Sequence, residues 1–257
     1  MAGSQIERAL NLLESLAGAG DVPMQVLAEQ LQIPKSATHR MLAELIRLGY
    51  VRQDAQTSRY RLSTKLVALG FRYLVSSGAD IVQPILDRLA RESGELVRLG
   101  VIEGERQTWI AKSQGARSGL RYDPDMGRDA PLRYTASGHA WLASLTDAEA
   151  LALVARQQIA EDSEFGPNAP HDDEQLLGYL RQARARGYAS VVETSSVGTC
   201  ALAVVITHPQ HGGAIGVLSI AGPSARMPVE RMEELAPLLI EVAGELSAAS
   251  QASELFV

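Results

Sequence analysis

Apolar residues recur at helical spacing from the start of the chain: Ile6, Ala9, Leu10, Leu13 and Leu16 follow a Ser4-Gln5-Ile6-Glu7 capping box and precede the breakers Gly18 and Gly20. The pattern predicts an amphipathic helix. An extended piece at Val22 to Met24 leads into a second helical stretch, Gln25 to Leu31, with Val26, Leu27 and Leu31 toward a core. A third stretch runs from Pro34 to Leu48, with Pro34 in its first turn, Gly49 at its C′ position, and Ile33, Ala37, Met41, Leu45 and Leu48 as its apolar stripe. Three short helices with a tight turn between the last two predict a helix-turn-helix. Lys35, Ser36, Thr38 and His39 then lie off the stripe, near the N-terminus, where a recognition helix presents donors and acceptors to a major groove. Tyr50 to Asp54 and Arg59 to Leu62 read as the two strands of a hairpin, the wing of a winged helix. Arg52, Arg59 and Arg61 place three guanidiniums on it, for phosphates and, at a tip, for a minor groove.

Residues 64 to about 93 are helical in pattern, in two segments separated by Ser76-Ser77-Gly78. The first carries Leu66, Val67, Leu69 and Leu74, too apolar for a free linker, and is expected to pack against a second copy or against the head. Beyond it the texture changes to short strands at Leu96 to Ile102, Gln107 to Lys112 and Gly119 to Tyr122. Helices are predicted from Thr135 through Leu145, from Thr146 to Gln157 and from Asp172 to Arg186, with loop signals from Glu161 to Pro170. Strands at Tyr188 to Val192, Thr199 to Thr207 and Ala214 to Ala221 precede a closing helix, Pro228 to about Ala249. Without a regular βαβ repeat, the mixture favours an α+β antiparallel sheet over a Rossmann or barrel fold.

Composition adds three constraints. A chain of 257 residues with 46% hydrophobic content and 21% charge has material for two folded domains and is not disordered. The single cysteine, Cys200, excludes an internal disulfide and any thiolate-rich metal site, and no apolar run approaches the roughly 20 residues of a membrane span, so a cytoplasmic protein is expected. The net charge of −6 hides an asymmetry: residues 1–75 hold nine Lys+Arg against six Asp+Glu, while the remainder is acidic. A basic head on an acidic body suits a DNA-binding module joined to a differently employed domain.

Catalytic constellations are weak. Cys200 with His139 or His171 could be drawn as nucleophile and base, but Cys200 sits in an apolar strand run. Asp123-Pro124-Asp125 reads as a turn, and His208 with His211 as a loop lacking a third metal ligand. No phosphate loop or nucleophile elbow is present, and no enzyme, cofactor or metal is expected; a ligand-sensing scaffold or enzyme domain with a vestigial winged helix is the alternative.

Several strings, in order, resemble the IclR family of bacterial transcriptional regulators over nearly the whole chain. They are Ile33 to Leu42, Leu48-Gly49-Tyr50-Val51 and Arg59-Tyr60-Arg61-Leu62 in the head, then Leu132 to Ala143, Arg186-Gly187-Tyr188-Ala189 and Leu218 to Pro223 in the body. The resemblance implies a winged-helix DNA-binding domain at 1–64, a linker helix at 65–78 and a GAF-like effector-binding domain at 79–257. It also implies a homodimer or tetramer on palindromic double-stranded DNA, controlled by a small-molecule effector, and it adds Arg40 to the DNA-contacting residues. The effector site maps to Ala136-Ser137-Gly138 at a helix N-terminus, which suits a carboxylate. On the sheet it maps to Val191, Ala201, Ser219 and Ala221. Only Ser219 is polar among these four, so the expected effector is an aromatic or otherwise apolar carboxylic acid, with Trp109, Met126 and Leu132 contributing to the walls.

Overall fold

The computed structural model describes residues 4–76, 79–122, 126–159 and 164–256, and the chain divides into two compact units after Val75. The Ser77-Gly78 pair, the Asp123-Pro124-Asp125 turn and the start of the 161–170 loop lie outside the described residues.

In the first unit, α1 (Gln5–Ala19) starts at Ser4, whose hydroxyl accepts from the Glu7 N–H while the Glu7 carboxylate accepts from the Ser4 N–H. It is followed by α2 (Met24–Gln30), α3 (Lys35–Arg47), β1 (Val51–Gln53), β2 (Tyr60–Leu62) and α4 (Thr64–Ser76). Strands β1 and β2 pair antiparallel, and Val22 adds a two-way backbone bridge to Tyr60 (2.9 and 2.8 Å). Leu12, Leu16, Val22, Leu27, Ile33, Met41, Leu42, Leu45, Val51 and Tyr60 form one core. The helix-turn-helix with a wing is thus present, but each helix is rotated from the expected stripe. On α1 the buried residues are Leu12 and Leu16, leaving Ile6 and Leu10 exposed, and on α2 Val26 faces solvent. The buried side of α3 is Thr38, Met41, Leu42 and Leu45, an i, i+3, i+4, i+7 set, while Leu48 is exposed.

The second unit begins with α5 (Ala79–Ser93) and a five-stranded antiparallel sheet of order β4-β3-β7-β6-β5. The strands are β3 (Leu96–Glu103), β4 (Arg106–Gln114), β5 (Ala189–Val192), β6 (Thr199–Thr207) and β7 (Ala214–Pro223). Helices α6 (Ala136–Ala143), α7 (Asp147–Arg156) and α8 (Asp173–Arg186) intervene between β4 and β5, and α9 (Val229–Ala249) closes the unit. The expected strand at Gly119 to Tyr122 is absent, and residues 115–122 are irregular. Central β7 is buried along nearly its full length, which explains why Ser219 alone interrupts its apolar run.

Strand register separates the two faces of the sheet. Ala189, Val191, Ala203 and Val217 pack with α6, α7 and α8, whereas the alternating set Leu202, Val204, Leu218 and Ile220 turns to the other face, where α5 and α9 pack on the strands and on each other. Small side chains on the first face let α6 come close. The fold is α+β, with its helices in layers on an antiparallel sheet.

Candidate functional site

The winged unit gathers basic side chains on α3 and the hairpin. Lys35, Ser36, His39 and Arg40 are exposed on α3, whereas Thr38 is fully buried and its hydroxyl donates to the Pro34 carbonyl (3.2 Å). Thr38 therefore belongs to the core and not to a reading face. A back-bonded threonine presents its methyl group to apolar neighbours, so its polar label misleads. Further along α3, Glu44 and Arg47 pair with each other (2.5 Å), leaving the N-terminal half as the open part of the face. Arg40 lines a groove of about 220 Å³ together with Gln5 and Arg8 of α1, a cationic neighbour that the sequence reading missed.

On the wing, Arg52 stands directly opposite Arg61, and both side chains are exposed. Like charges facing each other across a ribbon repel, and a phosphate between them removes the cost. Arg59 donates to the Asp21 carbonyl (3.3 Å) and Arg61 lies 3.9 Å from the Asp21 carboxylate, while the Arg59 carbonyl closes the turn by accepting from the Asp54 N–H (2.8 Å). The tip, Ala55-Gln56-Thr57, carries no cation. It is tied down by Asp54, which accepts from the Gln56 and Thr57 N–H groups and the Thr57 hydroxyl, holding that carboxyl below the usual range. Arg59, at the end of the turn, is the wing cation nearest the tip.

In the second unit the structure brings Ala136, Ser137, Ala201, Ser219 and Ala221 around one cavity, closed by Arg98, Tyr122, Thr135, Ser195, Thr199 and Cys200. Its volume is about 10 Å³, roughly the space of one water. The other expected residues do not line it. Val191 and Leu132 are buried in the core beside α6, and Met126 is half-buried elsewhere. Gly138 is a packing position: its N–H donates to the Thr135 hydroxyl (3.0 Å), and a Cβ there would fall 2.2 Å from the Leu132 carbonyl oxygen. The capping by Thr135 leaves the Ala136 and Ser137 N–H groups as the free donors at the start of α6. The expected apolar walls are also corrected, because four hydroxyl side chains besides Ser219, a phenol and a guanidinium share the cavity.

Arg98 is the residue the sequence reading overlooked. It lies opposite Ser219 in the β3–β7 register, is 5% exposed, and stacks on Trp109 with 3.8 Å between guanidinium carbon and ring centroid. A register shift places Trp109 there: Leu99 faces Ala111 but Gly100 faces Trp109, so the extra residue Ile110 turns the indole onto the cavity side. The Nε and Nη1 atoms of Arg98 are buried without a hydrogen-bond partner. Its polar neighbour is the Tyr122 hydroxyl, and burial lowers its pKa from the usual value.

His139, on α6, is buried with its Nε2 2.6 Å from the Arg133 carbonyl and its Nδ1 unpartnered. Burial, outweighing the bond to Arg133, lowers its pKa from 6.5 to about 4. The folded pKa lies below the unfolded one, so stability is full above about pH 6.5 and is lost as pH falls toward 4, by about 3 kcal/mol at roughly 1.4 kcal/mol per unit. Urea midpoints followed by tryptophan emission between pH 7 and 4.5 should fall steeply in the wild type and less in His139→Gln, whose amide keeps the bond to Arg133. Parallel curves would assign the acid sensitivity elsewhere.

Of the constellations considered for catalysis, Asp123-Pro124-Asp125 lies outside the described residues, and Cys200 and His139 are each buried. Burial raises the Cys200 thiol pKa, and the His139 ring is committed to Arg133. His208 and His211 stack in the β6–β7 loop (3.8 Å between centroids), and among the described residues no group of three or more His, Cys, Asp or Glu could hold a metal. No helix among the described residues is long and apolar enough to cross a membrane.

Comparison with known proteins places both units. Residues 76–248 match the family described as bacterial transcriptional regulator IclR C-terminal, and residues 5–55 match the IclR helix-turn-helix domain. The acetate operon repressor of Salmonella typhimurium is 30% identical over 247 residues, 95% of this chain and 89% of that protein. The crystal structure of an IclR transcriptional regulator from Alicyclobacillus acidocaldarius superposes with a TM-score of 0.83 at 24% identity, covering 97% of this chain and all of that one. An IclR homologue from Microbacterium hydrocarbonoxydans, crystallised with 4-hydroxybenzoate, superposes with a TM-score of 0.74 at 21% identity, covering 97% and 100% of the two chains.

Proposed function

The chain belongs to the IclR family of bacterial transcriptional regulators, and on that premise we propose that it binds palindromic promoter DNA in the cytoplasm as a dimer or tetramer, with a small carboxylic acid in the cavity beneath α6 altering that binding. Residues 65–78 serve in this reading as the linker between the DNA-binding and effector units. Lys35, Ser36, His39 and Arg40 face the major groove, and Arg52, Arg59 and Arg61 hold phosphates.

The observation that carries the effector half is the cavity itself, which joins the free Ala136 and Ser137 N–H groups to several hydroxyls at the positive end of a buried helix. Because the space is only about 10 Å³, an acid larger than water has to displace its walls. Binding and rearrangement then become one event, the differential interaction between two states that effector control needs. The 4-hydroxybenzoate complex of the Microbacterium homologue supplies an aromatic acid of the class in question.

The test is fluorescence anisotropy of the full chain on DNA from its own upstream intergenic region, against unrelated DNA, across a salt series and with a panel of carboxylic acids. Specific binding that an acid changes is expected. Ser137→Trp should keep DNA affinity and lose the response to acid; equal loss of both would show that Ser137 serves packing alone. No change in DNA affinity with any acid in the panel would remove the effector half of the reading.

A further inference from the structure

Arg98 stands out among the charged side chains of the effector unit. Another buried charge, Glu95 just before β3, is held by two bonds from Arg226 (2.6 and 2.8 Å) and needs nothing further. Arg98 is 5% exposed, yet no carboxylate pairs with it among the described residues, and two of its donor atoms have no acceptor. Enclosing a guanidinium without a counter-charge is costly, because the low-dielectric surroundings weaken its solvation and return nothing. Its position is also built. The β-bulge at Ile110 brings the Trp109 face beneath it, and Tyr122 approaches from the irregular segment, with its ring centroid 5.9 Å from the guanidinium carbon. That segment is itself anchored, since Gln114 donates to the Tyr122 carbonyl (3.1 Å) and Arg226 to the Leu120 carbonyl (2.8 Å).

These contacts hold the guanidinium flat, while Ser137 and Ser195, both on the cavity wall, make no side-chain hydrogen bond among the described residues. We propose that Arg98 is the anion anchor of the effector cavity: the carboxylate of a small organic acid takes its charge complement from the orphaned Nε and Nη1 donors, with the Ser137 and Ser195 hydroxyls as neutral donors beside it. The inference rests on the reading of this cavity as the effector site and adds which residue reads the charge. A guanidinium-bound carboxylate carries a charge-assisted hydrogen bond that a neutral analogue lacks, so acids should be selected over their own amides. The Trp109 ring, in contact with the anchor, should report binding through its emission.

The experiment uses the full chain and four probes (acetate, pyruvate, benzoate and 4-hydroxybenzoate), each against its own amide and against sodium chloride at equal ionic strength. Melting temperature and tryptophan emission are followed for wild type, Arg98→Met and Arg98→Lys. At least one acid should raise the wild-type melting temperature saturably while its amide does not. Arg98→Met should bind that acid at least tenfold more weakly, and Arg98→Lys should fall between. In plain buffer Arg98→Met should melt no lower than wild type, because an unbalanced buried charge has been exchanged for an apolar chain of similar length. Four outcomes overturn the proposal: equal response to acid and amide, an unchanged response in Arg98→Met, a lower melting temperature for Arg98→Met in buffer, or no acid acting beyond chloride. Anisotropy on DNA run in parallel separates the two ideas. An acid that alters DNA binding of wild type and Arg98→Met alike keeps effector control and removes Arg98; an acid that needs Arg98 to bind but leaves DNA affinity unchanged does the reverse.

Discussion

Replacing Arg52 and Arg61 together by alanine is expected to weaken binding to every DNA sequence by about thirtyfold at roughly 0.15 M salt, and to take about 1.8 units off the slope of log affinity against log salt. Counterion release sets the size of the change, at about 0.9 unit for each phosphate that is no longer neutralised. The two side chains face each other across β1 and β2, and Arg61 lies 3.9 Å from the Asp21 carboxylate, so removing them relieves repulsion within the wing and spares the core residues Val51 and Tyr60. The fold should therefore survive and the preference for the cognate site should persist, since phosphates carry no sequence information. A salt series on cognate and scrambled DNA checks both halves. An unchanged slope would take the wing out of the DNA interface, and weakening confined to the cognate site would mean that it reads bases.

Gly138→Ala is expected to destabilise the effector unit by about 3 kcal/mol or more. The added Cβ would lie 2.2 Å from the Leu132 carbonyl oxygen and 2.4 Å from the Leu132 Cα, both backbone atoms that cannot swing aside. Leu132 is itself fixed, fully buried and bonded through its N–H to the Gln157 side chain (2.8 Å). Relief requires α6 to lift from the segment beneath it, and α6 carries Ala136 and Ser137 of the cavity wall. Both tryptophans, Trp109 and Trp141, lie in the effector unit, so urea unfolding followed by their emission reports this unit. A midpoint within error of wild type would show that the backbone yields locally and that the contact is soft.

The winged helix and the order of strands and helices beyond it were legible because each element carries a period, a cap or a breaker of its own. The buried α3 set was not, because two adjacent stripes on that helix differ by one residue, and Thr38 is polar by type yet satisfied by its own helix. Ile6 and Leu10 look like core on α1 and are exposed. In the effector unit, five of the ten expected cavity residues line the cavity, among them Ala136, Ser137 and Ser219. Gly138 and Leu132 were expected as ligand contacts and instead hold each other at close range.

Arg98 shows why the remainder stayed hidden. Within Leu96 to Glu103 a single arginine has the look of a strand residue pointing to water, and local pattern contains nothing to contradict it. Its burial depends on Ser219 more than a hundred residues later, on a bulge that re-aims Trp109, and on a helix laid over that face of the sheet. By itself the sequence determined the two-part organisation, the family, the class of fold and the basic character of the head, since these follow from short-range periodicity and charge. Only the tertiary structure decided which polar groups are enclosed, because burial is set by register and by long-range packing, and it is burial that turns an ordinary arginine into a charge in need of a partner.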